Sequence, residues 1–138
     1  EAETLARVSL GLLDGAACAD ARRLPFADAS VDVVICSQVL HHFEDAEIPL
    51  VLAELSRVAR KLVVVSDLRR SWIAAAGFWL VTWPLRFHPV TRHDGVTSVL
   101  RGFTPDDLAR HVRSATGRTP EVRRHTGFRI TATWTPRR

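Results

Sequence analysis

The sequence predicts an α/β fold, and three stretches carry that prediction. Val31–Ser37 (VDVVICS) and residues 61–68 (KLVVVSDL) are short, nearly continuous runs of β-branched and apolar residues, the pattern of interior strands covered on both faces. Between them Ile48, Val51, Leu52, Leu55 and Val58 recur at helical spacing along 44–60, one apolar stripe on an otherwise polar helix. Strand, helix and strand in that order make a βαβ unit, with parallel strands and a right-handed crossover. The third stretch is C-terminal. Phe128, Ile130, Ala132 and Trp134 alternate with Arg129, Thr131, Thr133 and Thr135, the period of a half-buried strand. With the extended run before His125-Thr126-Gly127, it predicts an antiparallel hairpin closing the sheet edge.

The remaining elements follow in chain order. Leu5, Val8 and Leu10 give residues 2–10 the spacing of a helix end that Gly11 stops. Residues 15–20 (GAACAD) read as a short strand ending in Asp20. Pro25 and Asp28-Ala29-Ser30 mark 24–30 as a loop. Residues 69–85 form a strongly apolar helix. Residues 86–103 show little periodicity, and Arg92-His93-Asp94-Gly95 reads as a turn. Residues 104–117 are a well-signalled helix: Thr104 caps it, Pro105 fits its first turn, Asp106 and Asp107 suit the positive end of the dipole, and Gly117 stops it.

Composition narrows the function classes. The chain has 138 residues, one domain rather than two, with 46% hydrophobic and 25% charged residues, ordinary values for a folded domain. Net charge is +4, carried by eighteen arginines and one lysine, Lys61. They are scattered or paired, with no long basic block, so nucleic acid is not expected as a partner. Cys18 and Cys36 lie in apolar runs without metal-ligand spacing, so no metal is expected and the thiols fit a reducing cytoplasm. The acidic, amphipathic start is no signal peptide. The longest apolar run, 72–85, has fourteen residues with Gly77 and Pro84 inside it. That falls short of the roughly 18–20 needed to span a bilayer, so stable membrane insertion is not expected. The chain contains no methionine, and its first residue is expected to lie within a longer reading frame.

Ligands of open α/β sheets bind beyond the carboxyl ends of the parallel strands, which points to Asp20-Ala21, Ser37-Gln38 and Ser66-Asp67. There the composite DARRLPFADASVDVVICSQVLHHFED resembles the class I S-adenosylmethionine-dependent methyltransferases of the small-molecule type. LAELSRVARKLVVVSDL is similar to that family's next helix and strand, and TRHDGVTSVLRGFTPDDL resembles a bacterial branch that modifies small molecules. The resemblance implies a Rossmann-like methyltransferase sheet with a C-terminal antiparallel hairpin, and S-adenosylmethionine as cofactor. It implies Asp20 as acceptor of the adenine amino group and Ala21 as the neighbouring N–H. Ser37, Gln38 and His41 would lie along the methionine and sulfonium side. It also places His42 at the floor of the substrate side as a candidate acid–base group, and the residues His93 and Asp94 read by themselves as a candidate acid–base or orienting pair. Beside these roles stand plainer ones: Asp20 as a turn residue, Ser37-Gln38 as a helix cap, one of the two histidines packed inward, and His93-Asp94 as part of the turn.

The family's Gly-rich turn after the first strand has no counterpart in these 138 residues. The chain is therefore expected to be the C-terminal two-thirds of a single methyltransferase domain, 1–138, without the first two strands. An exposed sheet edge would follow, open to pairing with another copy. Trp72, Trp79 and Trp83 fall on one helical face, suited to core packing or to covering a hydrophobic or aromatic acceptor. Methyl transfer to such a small molecule is the function the resemblance implies. A methyltransferase-like remnant that binds without catalysis is the alternative.

Overall fold

The computed structural model describes residues 15–84 and 88–136. Residues 2–10, read above as a helix end, lie outside them. β1 (Val31–Ser37) runs into a single 3-10 turn at Leu40–His42, and α1 (Ile48–Val58) follows. α1 starts at Ile48 rather than at 44 because Pro49, which has no N–H to leave unpaired, belongs to its first turn. β2 (Ala59–Leu68) pairs in parallel with β1, Val34 opposite Val63 and Ser37 opposite Ser66. The βαβ unit is thus as the apolar pattern requires.

Two helices then leave the sheet. α2 (Trp72–Thr82) is capped by Ser71, whose Oγ accepts from the Ala74 N–H at 3.2 Å. α3 (Pro89–Arg101) occupies the stretch that showed little periodicity, and Arg92-His93-Asp94-Gly95 is helical rather than a turn. Its stability comes from packing on α2, where Gly95 lets the Phe78 ring lie against the helix backbone. Tertiary contact overrides the weak local signal. α4 (Pro105–Thr116) carries a full capping box between Thr104 and Asp107 and ends at Gly117, φ 67°.

β3 (Glu121–His125) and β4 (Arg129–Trp134) form the hairpin, turning through Gly127 and Phe128, both at positive φ. Phe128 therefore leaves the apolar face that the alternation assigned to it, and Arg69 sits over its ring at 5.5 Å from the centroid. β4 lies antiparallel to β2, giving the sheet order β1-β2-β4-β3.

α1 and α4 cover one sheet face, enclosing Leu52, Leu55, Leu108 and Val112 with Val63, Val65, Ile130 and Ala132. Among the described residues the other face stays open at β1: Val33 and Ile35 are 43% and 69% exposed, so β1 is not covered there on both sides as its composition suggested. Among the described residues no strand pairs with the outer edge of β1. The stretch 15–20 is not a strand. Its small side chains bury little, and Asp20 makes only an isolated bridge to Arg23 across a tight turn.

Candidate active site at the carboxyl ends of the parallel strands

Alternation along β2 turns Val63, Val65 and Asp67 toward the covered face, so the strand carries a carboxylate into the core. Burying such a charge is costly unless every lone pair finds a donor. Asp67 finds three: His41 Nδ1 at 2.7 Å, the Leu68 N–H at 2.7 Å and the Leu40 N–H at 2.9 Å. The donors arrive because Gln38, at φ 55°, reverses the chain after β1 while its N–H holds the Ser66 carbonyl. That drops Leu40 and His41 into the core, 0% and 6% exposed. An ionised carboxylate cannot donate, so Nδ1 carries the proton, and in a neutral ring Nε2 is then the acceptor. His42, exposed, keeps its ring 4.0 Å from that of His41.

The His41 ring lines two adjoining cavities. The larger, about 620 Å³, is bounded by His41, His42 and Phe103, with Arg70, Arg101 and Arg110 on its wall. The smaller, about 310 Å³, is closed by Asp94, Thr97, Ser98 and Arg101 of α3, which share one helix face. The end of α3 is pinned to the end of β2. Phe103 N–H donates to the Leu68 carbonyl at 2.9 Å, and Arg70 N–H donates to that of Phe103 at 3.1 Å. Gly102 is required there, since a Cβ would meet the Leu68 oxygen at 2.6 Å. Beyond Leu100 lies an apolar groove of about 560 Å³ between α2 and α3, lined by Trp72, Trp79, Leu80 and Val96.

The candidate cofactor residues sit at the same end of the sheet. Arg22 bonds both Asp20, with both carboxylate oxygens engaged, and Glu47 at the start of α1. The Arg22 side chain holds the exposed Asp20 carboxyl at about 2, below its usual value. Ala21 is half-buried beside it and Ser37 is exposed at the end of β1. The Gln38 amide, with its oxygen turned to Arg129, accepts from Nη2 at 3.1 Å.

The structure thus brings His41, His42 and Asp94 to one pair of cavities. His93 is exposed on α3 and lines neither. Asp67 as the partner of His41, and the face Asp94, Thr97, Ser98, Arg101, went unassigned from sequence. The first had a signal: a lone acid at an inward position of a buried strand. The second depended on knowing that 89–101 is a helix. Among the described residues, no group of three His, Cys, Asp or Glu is placed to hold a metal.

Residues 3–65 match the methyltransferase-domain family. A solved S-adenosylmethionine-dependent methyltransferase from Aquifex aeolicus superposes with a TM-score of 0.66 at 15% identity, over 96% of this chain and 60% of that one. The fold is similar to that of Rossmann-like methyltransferase structures. Magnesium protoporphyrin IX methyltransferase from Synechocystis, solved with S-adenosylhomocysteine, shares the methyltransferase fold at a TM-score of 0.59 and 17% identity, over 99% of this chain and 58% of its own. Human N-acetylserotonin methyltransferase, solved with S-adenosylmethionine, does so at 0.56 and 14%, over 86% and 32%. The chain therefore spans less than two-thirds of each. No curated protein matches its sequence. No described helix is long and apolar enough to cross a membrane.

Proposed function

We propose that this protein takes part in S-adenosylmethionine-dependent methyl transfer to an oxygen of a small acceptor that is hydrophobic or aromatic in part. The observation that carries the reading is the buried His41–Asp67 pair at 2.7 Å, whose ring opens on a cavity beyond the parallel strands. A hydroxyl must lose its proton to become a competent nucleophile, and a neutral imidazole fixed in one tautomer suits that task. Asp67 holds the ring and favours the imidazolium that forms. His42 lines the same cavity and Asp94 the adjoining one, and both would orient the acceptor. The groove of Trp72 and Trp79 next to it suits an apolar body.

The chain's residues suit part of a cofactor site. Asp20, Ala21, Ser37 and Gln38 would hold S-adenosylmethionine, and the Asp20 ion pair with Arg22 is exposed, so freeing one carboxylate oxygen for a ligand costs little. When bound, the cofactor supplies an activated methyl group that the acceptor oxygen takes, the C–S bonding pair staying on sulfur. Positioning then accounts for most of the rate. This is consistent with the chain being the C-terminal two-thirds of one such domain in a reducing cytoplasm. Its open β1 edge would then serve either the rest of the domain or a second copy.

Calorimetric titration with S-adenosylhomocysteine tests the reading: weak or no binding is expected of this chain alone and micromolar binding of a chain that restores the Gly-rich strand, while micromolar binding by this chain itself would rule out the non-catalytic alternative. If neither this chain nor the restored one binds a cofactor analogue at millimolar concentration, the protein is instead the non-catalytic binding module, a reading favoured by the closed Asp20–Arg22 pair. Sedimentation of wild type against Ile35→Lys tests the edge: a mass that stays monomeric in both rules out self-pairing.

A further inference from the structure

We infer that the acceptor is an acid and that Arg101 holds its carboxylate. The inference rests on the proposed reading of the cavity as the acceptor site, and it concerns what enters there. Three arginines face the larger cavity. Two are already held. Arg70 donates through Nε to the Gly102 carbonyl at 2.9 Å and lies 3.6 Å from Asp107. Arg110 donates to Asp107 Oδ1 at 2.7 Å. Arg101 has no carboxylate or carbonyl partner among the described residues, yet it lines both cavities together with His41 and His42. A guanidinium stays charged at any pH the protein meets, and its planar fork matches a carboxylate bidentately. Its place in the last turn of α3 also puts the cation where the helix dipole favours it.

The rest of the face fixes the polarity of the ligand. Asp94 lies two turns before Arg101 on α3, about 10 Å along the axis. An anionic group is attracted at the Arg101 end and repelled at the Asp94 end, so an acid enters one way round. Thr97 and Ser98 between them supply hydroxyls that donate or accept. Ile48, Leu100 and Phe103 on the larger cavity offer apolar surface for the body of the molecule. The substrate class that satisfies these walls is an apolar or aromatic hydroxy acid, its carboxylate on Arg101 and its hydroxyl toward Nε2 of His41.

The test uses no methyl donor, so it fails or succeeds apart from methyl transfer itself. The full chain is titrated by calorimetry with 4-hydroxybenzoate and with its uncharged analogue 4-hydroxybenzamide. Histidine ring resonances are followed by NMR in the same titrations. The acid is expected to bind roughly 10- to 100-fold tighter than the amide, the range of a charge-assisted contact, and to shift the His41 ring signals. Arg101→Gln is expected to erase the difference. Arg113→Gln, the same charge change on the outer face of α4, is expected to keep it. Equal affinities, no binding of either probe, or a preference that survives Arg101→Gln overturns the inference. If the acid binds as expected while S-adenosylhomocysteine binds neither this chain nor one that restores the Gly-rich strand, the acid site stands and the methyl-transfer reading falls.

Discussion

Nδ1 of His41 lies 2.7 Å from Oδ1 of Asp67, and the two side chains are 6% and 0% exposed. They lie 26 positions apart in sequence. A carboxylate with all its donors inside the core is expensive to maintain, and removing a partner strands the other groups. Three variants separate catalysis from folding here. His41→Gln is expected to fold and to lower the methyl-transfer rate by about 10²- to 10⁴-fold. Asp67→Asn keeps the volume and is expected to lose a similar share of rate. Asp67→Ala, which leaves three donors unpaired, is expected to lose about 3–5 kcal/mol of stability. A His41→Gln protein with wild-type rate would remove the pair from the mechanism.

Gly95 sits in the middle of α3, where alanine is ordinarily better by about 1 kcal/mol. A Cβ there runs into the Phe78 ring of α2, and overpacking of this kind costs about 1–3 kcal/mol. The clash wins. Gly95→Ala is expected to lower the urea midpoint, and adding Phe78→Leu to recover most of the loss. A Gly95→Ala protein more stable than wild type would show that α2 and α3 do not pack this closely.

The two thiols differ in reactivity. Cys36 is buried on β1, and burial first, then the charge of Asp67, pushes its thiol up to about 11. Cys18 is exposed. Iodoacetamide at pH 8 is expected to label Cys18 alone in the native chain and both in urea, read by mass spectrometry. Because the folded value lies above the ordinary 9.0, the stability held by the neutral thiol is complete below 9.0 and is lost as pH rises toward 11. Cys36→Ala is expected to flatten that alkaline slope.

The cap of α4 makes the opposite prediction in acid. The Thr104 hydrogen bond, ahead of Arg110, holds the Asp107 carboxyl below its ordinary 3.8. A depressed carboxylate contributes stability above its unfolded value and loses it as pH falls through the folded one. Thr104→Ala is expected to cost about 1 kcal/mol at neutral pH. Asp107→Asn is expected to destabilise at neutral pH, with the two thermal midpoints converging below pH 3.8. A gap that widens in acid would contradict the capping role.

Much of this protein is legible in the one-dimensional pattern, because the pattern records burial. The βαβ unit, α4 with its capping box and the final hairpin are readable because inward positions recur at 2 or 3.6 residues and turns demand particular side chains. The same reading delivers His41 and His42 to the end of a parallel strand, which is where such sheets bind ligands. Tertiary structure alone decides the rest. Helix α3 forms because α2 is there to pack on, so Asp94, Thr97, Ser98 and Arg101 become one face only in the fold. His41 becomes the buried member of the pair because the left-handed turn at Gln38 and the inward register of Asp67 place them together. Local spacing cannot encode that contact: its partners lie on different strands' ends, and only the pairing of β1 with β2 brings the donors to the one charge that needs them.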